Sequence, residues 1–273
     1  MGAIQTDPPS GSRFTSRRPL LRYRAANDSE EAAGLPGEDA PPPGLIATIG
    51  LHGSASTWVF NVVRELMIAA LGEQRVVAVY ADKVEDVPEA TGRCLVVKSH
   101  HGSAGLDAWL ATARATVFLS LRDPRDAAMS MAQRFNAPLN QAVHWIADDC
   151  ARMMRLAAQG HLLLRYEDRF FEDAAAPERL ARALGLNPTP AVSAAIFARY
   201  RTEAVRTFSA AFADLPPGRV VSAGRIVMDP VTQIHRTHIG DGRSGKWRDL
   251  PGPVQAELTR FFRPFLDRWG YPG

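Results

Sequence analysis

The stretch GLHGSASTWVFN, Gly50 to Asn61, lies between a short apolar run and a segment whose apolar residues recur at helical spacing. Small residues at positions 53–56 let the backbone bend around a ligand. Ser54, Ser56 and Thr57 set hydroxyl donors beside the unpaired amides of a helix N-terminus. Two readings are open for this loop alone, a phosphate cradle and an ordinary Ser/Thr-capped helix start. The nucleotide-triphosphate loop GxxxxGK[ST] is a direct test, and it fails. Aligned on Ser56-Thr57 there is no lysine, and Ala55 stands at a glycine position. A kinase using ATP or GTP is disfavoured.

On either side of this loop, short runs rich in β-branched residues alternate with helix-like segments. Candidate strands are Leu45–Gly50, Arg75–Tyr80, Cys94–Ser99, Thr116–Leu121 and His161–Arg165. Thr57–Leu71, Leu106–Ala113, Pro124–Phe135 and Leu139–Ala158 have helical periodicity. Near-continuous apolar strands alternating with helices predict an α/β fold of three layers, with a central, mainly parallel sheet flanked by helices. In such sheets ligands bind beyond the carboxyl ends of the strands, so the loops starting at Gly50, Ser99, Leu121 and Tyr166 share one functional edge.

Two of those loops carry chemistry. CLVVKSHHG, Cys94 to Gly102, delivers Lys98, Ser99, His100 and His101 at the end of a buried strand, a cation for anion binding beside imidazoles for proton abstraction. VFLSLRDPRDAAMSM, Val117 to Met131, runs through Arg122 into a helix with Asp123 as N-cap and Pro124 at the first helical position. Ser130 lies about two turns along at roughly 1.5 Å per residue, so Arg122 and Ser130 can reach one anionic group. The planar fork of Arg122 suits phosphate oxygens. Arg125 and Asp126 read as a solvated helix face.

Together these loops resemble the sulfotransferases that use 3′-phosphoadenosine 5′-phosphosulfate (PAPS). GLHGSASTW resembles the family's PKSGTTW-like 5′-phosphosulfate loop, with Ser54, Ser56 and Thr57 at hydroxyl positions and Trp58 where the family packs adenine. Lys98-Ser99-His100 resembles its strand-end KTH, which supplies the base, and Arg122 with Ser130 matches the 3′-phosphate pair in spacing. LLLRYEDRF, Leu162 to Phe170, is similar to the YED segment whose Tyr, here Tyr166, lies near the nucleotide. HIGDGRSGKWRDL, His238 to Leu250, is similar to the closing RKGxxGxW loop, with Gly242, Gly245 and Trp247 in place.

The resemblance implies a P-loop-NTPase-like fold over residues 44–273 and PAPS as co-substrate with no metal. It implies a donor site of Gly53, Ser54, Ala55, Ser56, Thr57, Trp58, Arg122, Ser130, Tyr166 and Gly242, and Arg243 is expected to help hold the 3′-phosphate where the family's Arg-Lys pair is missing. His100 would be the general base, with Lys98 and His52 stabilising the leaving group. The acceptor would be a hydroxyl or amine of a small molecule, a glycan or a lipid-linked glycan. Segments around His101–Trp109, Pro138–Trp145 and Arg201–His238 are candidates to line its pocket.

The departures are specific. Gly53 replaces the first loop's cation and His52 the proline before it, while Gly240-Asp241 replaces the closing loop's Arg-Lys pair, with Arg243 just beyond. They keep a non-catalytic nucleotide-binding protein open as an alternative, ahead of a P-loop small-molecule kinase.

Composition sets the outer limits. The chain has 273 residues with 46% hydrophobic and 22% charged, which excludes collagenous and wholly disordered classes. Its 32 Lys+Arg against 29 Asp+Glu suit an anionic ligand and fall short of a nucleic-acid-binding surface. Cys94 and Cys150, without CxxC spacing or a nearby His pair, read as reduced thiols and argue against a structural zinc site. No stretch reaches the roughly 18 apolar residues of a membrane span, so the chain reads as soluble and cytoplasmic. Residues 1–43, interrupted by seven prolines with basic then acidic clusters, read as a disordered or loosely docked tail.

Overall fold

The computed structural model describes residues 44–157, 162–216, 218–223 and 226–273. The expected tail, residues 1–43, lies outside the described residues, as do His161 of the fifth candidate strand and Ala158 of the fourth candidate helix. Five parallel strands form one sheet in the order β2-β3-β1-β4-β5: β1 Leu45–Gly50, β2 Val76–Tyr80, β3 Cys94–Ser99, β4 Thr116–Leu121 and β5 Leu162–Arg165. Because β1 is central, the loops leaving β1, β3 and β4 emerge side by side.

Both faces of the sheet are covered, which explains why its strands read as continuous apolar runs rather than alternating ones. Leu45, Ala47, Ile49, Leu95, Val97, Val117 and Leu119 face one layer, built on α2 Ala104–Thr112, α3 Pro124–Phe135, α4 Leu139–Leu156, α8 Gly252–Phe261 and α9 Arg263–Trp269. Ile46, Cys94, Val96 and Phe118 face the other, built on α1 Ser56–Leu71, α5 Ala176–Ala183, α6 Pro190–Tyr200 and α7 Thr202–Ala210. The expected three-layer α/β arrangement is the one observed. No helix among the described residues is long and apolar enough to cross a membrane.

Gly50 ends β1 where three side chains converge. A Cβ there would lie 2.1 Å from Ser120 Oγ, 2.7 Å from Ser56 Cβ and 2.9 Å from Ser54 Oγ. Gly50→Ala should destabilise the fold by about 1–3 kcal/mol, the usual range for overpacking, as a lowered urea midpoint would show. An unchanged midpoint would mean that the loop relaxes freely.

One expectation is overturned. Arg125 and Asp126 are not a solvated face; both are fully buried. The Arg125 fork binds both carboxylate oxygens of Asp123 at 2.9 and 2.7 Å, donates to Thr259 Oγ1 and the Pro272 carbonyl, and lies 3.6 Å from the centre of the Trp247 ring. Asp126 accepts the backbone amides of Gly245 and Trp247. The C-terminal helices and the closing loop fold over the start of α3, so this polar face becomes an interior joint. Helical spacing marks which residues share a face, not what covers that face.

Candidate functional site

The first loop closes on itself before α1 begins. Ser54 Oγ donates to the Leu51 carbonyl at 2.6 Å and lies 2.9 Å from Ser120 Oγ, so this fully buried hydroxyl braces the loop and does not line the cavity. Gly53 and Ala55 both take left-handed backbone, at φ 77° and 61°. Such φ is costly for Ala, which explains why the related loop carries glycine there. The Ser/Thr-capped alternative is not what forms: Ala55 is the N-cap, and no side chain caps the helix. The first amides of α1 therefore have neither an intrahelical partner nor a side-chain cap. Ser56, Thr57 and Trp58 line the adjoining cavity, with Trp58 edge-on to Phe170.

At the tip of β3, His100 is almost fully buried with Nδ1 2.6 Å from the Gly50 carbonyl oxygen. That acceptor requires the proton on Nδ1 and leaves Nε2 unprotonated, accepting a long hydrogen bond of 3.4 Å from Ser56 Oγ. Burial, reinforced by His52 and Lys98, pushes the His100 pKa well below the ordinary imidazole value, so the ring is neutral at pH 7. His52 stacks on it with ring centres 3.9 Å apart, and His101 lies 4.6 Å from His52. Asp82 fixes the strand end, accepting from Ser99 Oγ at 2.7 Å and from the His100 amide at 3.1 Å. Arg152 adds bonds to Ser99 Oγ and the His100 carbonyl. Lys98 is buried behind this tip, 5.2 Å from the centre of the Tyr80 ring, and does not line the cavity. Burial, with repulsion from Arg134, lowers its pKa to about 7.

Across the cavity, Arg122 donates through Nη1 to the Gly53 carbonyl at 2.9 Å and Ser130 Oγ at 3.2 Å, and through Nη2 to the Arg243 carbonyl at 3.0 Å. Its guanidinium lies 4.0 Å from the centre of the Tyr166 ring, whose hydroxyl donates to the Gly242 carbonyl at 3.3 Å. Gly53, Arg122, Ser130, Tyr166, Gly242 and Arg243, spread over four segments of sequence, thus meet at one point. The Arg243 side chain is exposed and paired with Asp249, so it is the backbone of Arg243 that joins this cluster.

These groups line one cavity of about 630 Å³, within the range of small-molecule sites. His52 and His100 stand on its wall with Arg122 and Ser130. The 201–238 region contributes Thr202, Val205 and His238, among others, whereas 101–109 and 138–145 contribute nothing.

Three contributors escaped the sequence reading. Lys246, buried and 3.5 Å from Asp241, brings a cation to the closing loop that Gly240-Asp241 lacks. Arg134 lines the cavity and donates to the His238 carbonyl at 2.9 Å. Asp149, fully buried on α4, lies 2.8 Å from His52 Nδ1 and 3.1 Å from His101 Nδ1. A signal for Asp149 existed, because it recurs with Ala142, Val143, Ile146 and Met153 on the apolar stripe of its helix.

No protein-family model and no curated protein matches the chain. Among solved structures it is similar to a mouse sulfotransferase, SULT7A1, complexed with PAP, with TM-score 0.56 and 12% identity over 83% of this chain and 84% of that one. It is also similar to a retinol dehydratase in a complex with retinol and PAP, with TM-score 0.52 and 13% identity over 83% and 82%. The same enzyme with androsterone and PAP gives TM-score 0.51. The fold is therefore that of the PAP-bound sulfotransferases, an α/β fold of the P-loop-like type.

Proposed function

We propose, on the premise of that fold, that this chain is a sulfotransferase moving a sulfuryl group from PAPS to a hydroxyl or amine of its acceptor. The observation that supports this best is that a single cavity is lined by the Arg122–Ser130 pair, the uncapped start of α1 and His100. Arg122, Ser130 and the backbone around Gly242 bind the 3′-phosphate. The first-loop amides and Trp58 take the 5′-phosphosulfate and the adenine. Lys246 adds charge to that side.

In the transfer, the acceptor oxygen or nitrogen attacks sulfur in line as the bond from sulfur to the 5′-phosphate oxygen breaks. The acceptor proton passes to His100 Nε2, and PAP leaves carrying the electron pair. His52, on the cavity wall beside His100, and the loop amides face the charge that develops on the leaving oxygen. Lys98 acts from behind the tip of β3 through the field it sets up there. We place the reaction in the cytoplasm, where the buried free thiols of Cys94 and Cys150 stay reduced.

PAP should raise the melting temperature by mass action, corresponding to about 2.7 kcal/mol at a concentration 100 times its Kd, and ATP should not. Arg122→Lys keeps the charge and loses the fork, so PAP affinity should fall by roughly 10-fold or more, as for one charge-assisted bond of about 1.5–3 kcal/mol. Absence of any PAP shift would overturn the reading. A second reading, a PAP-binding protein without transfer activity, is favoured by Gly53 at the position of the loop cation. Loss of sulfate from PAPS in an acceptor screen of sugars, lipid-linked glycans, phenols and amines separates the two.

A further inference from the structure

We propose that His52, His101 and Asp149 form a site for a divalent transition metal of the zinc type, beside His100 and reaching the cavity through His52. The site itself does not depend on the proposed function; only its consequence for the donor does.

Asp149 is a carboxylate with no solvent exposure, and its charge partners are two imidazoles rather than an arginine or lysine. A buried charge needs compensation. One oxygen, Oδ2, accepts the backbone amide of His52 at 2.8 Å and faces His52 Nδ1 at the same distance. This fixes the carboxylate and turns Oδ1 towards His101 Nδ1, 3.1 Å away, where Oδ1 has no hydrogen-bond partner. A buried carboxylate that turns one oxygen to each of two ring nitrogens, one of those oxygens without a hydrogen bond, is a chelating arrangement, with one ligand atom available from each residue and all of them within 4.8 Å of one another.

The dimensions and donors agree with this. Bonds of about 2.0–2.2 Å in tetrahedral geometry put neighbouring ligand atoms roughly 3.3–3.6 Å apart, so the two imidazole–carboxylate contacts of 2.8 and 3.1 Å need to open by only a few tenths of an ångström, and the ligand atoms already lie within 4.8 Å of one another. Two imidazoles and a carboxylate suit zinc, cobalt or nickel and leave a fourth position open, whereas magnesium prefers oxygen ligands alone. The His52 amide is the outer-shell bond that orients the carboxylate. His101, with 43% of its side chain exposed, opens a path for the ion. A bound divalent ion would turn the single negative charge of the cluster into a single positive one. His52 would carry that charge into the stack with His100, on the wall where Gly53 offers none. PAP should then bind more tightly to the metal-loaded protein.

The test is calorimetric titration of tag-free, chelator-stripped protein with zinc chloride in the absence of nucleotide, with magnesium chloride as the control. One zinc per chain at micromolar affinity or better is expected, with no magnesium binding. Loss of an outer-shell partner alone costs about 10–100-fold in affinity, so His101→Ala and Asp149→Asn should each cost at least about 100-fold, and His144→Ala nothing. His101→Ala keeps the test decisive if the buried Asp149→Asn fails to fold. No saturable zinc binding, or zinc binding that survives His101→Ala, would overturn the proposal and leave protons as the compensating charge. The PAP shift of the unloaded protein is a separate measurement, so failure here and failure of the sulfotransferase reading are distinguishable.

Discussion

His100→Ala should lose sulfuryl transfer by about 100- to 10,000-fold, the usual cost of deleting a general base, while PAP still stabilises the protein. The separation follows from geometry. His100 offers Nε2 to the cavity because Nδ1 is tied to the Gly50 carbonyl, whereas the 3′-phosphate grip proposed above rests on Arg122, Ser130 and the closing loop, on other segments. Donor turnover with a screened acceptor, measured beside PAP thermal shift, reads both halves. Transfer at the parent rate would refute the base assignment and direct attention to His101, whose pKa the Asp149 carboxylate raises. Loss of PAP binding together with turnover would instead mean that removing the ring collapses the His52 stack and the first loop with it.

Arg125→Ala should destabilise the fold by about 3–5 kcal/mol, the cost of breaking a buried ion pair from one side. Asp123 would keep a buried negative charge with the guanidinium gone, and Thr259, the Pro272 carbonyl and the Trp247 ring would each lose their partner. Asp123 is further held by its amide, which donates to Glu167 Oε1 at 2.9 Å, while Glu167 Oε2 accepts from Tyr271. The start of α3, the YED segment and the C-terminus thus share one joint, and loosening it should also weaken PAP binding, because Arg122 precedes Asp123. Urea denaturation with a PAP titration checks both effects. A loss below about 1 kcal/mol would restore the solvated-face reading.

How much of this was legible in the chain differs from element to element. The apolar runs at Leu45–Gly50, Cys94–Ser99 and Thr116–Leu121 coincide with their strands, because a strand covered on both faces leaves an unbroken apolar record. Pro124–Phe135 was legible to the residue, since Asp123 caps it and Pro124 starts it. Arg122 and Ser130 were found by their spacing within one strand–helix unit, a local relation that tertiary packing leaves intact. Ser54 is the opposite case. Its hydroxyl could face a ligand or the loop behind it, and the contact with Ser120 on a neighbouring strand decides which.

Local periodicity and spacing along the chain suffice for the layered α/β class, the edge where the loops gather and the Arg122–Ser130 and Lys98–His100 motifs. The non-local pairings came only with packing. Asp149 meets His52 and His101 from a helix far along the chain, and Arg125 and Asp126 are sealed by the closing loop and C-terminal segment. The physical reason is that the charge state and exposure of a polar side chain depend on what packs against it, and spacing along the chain carries no record of partners a hundred residues away.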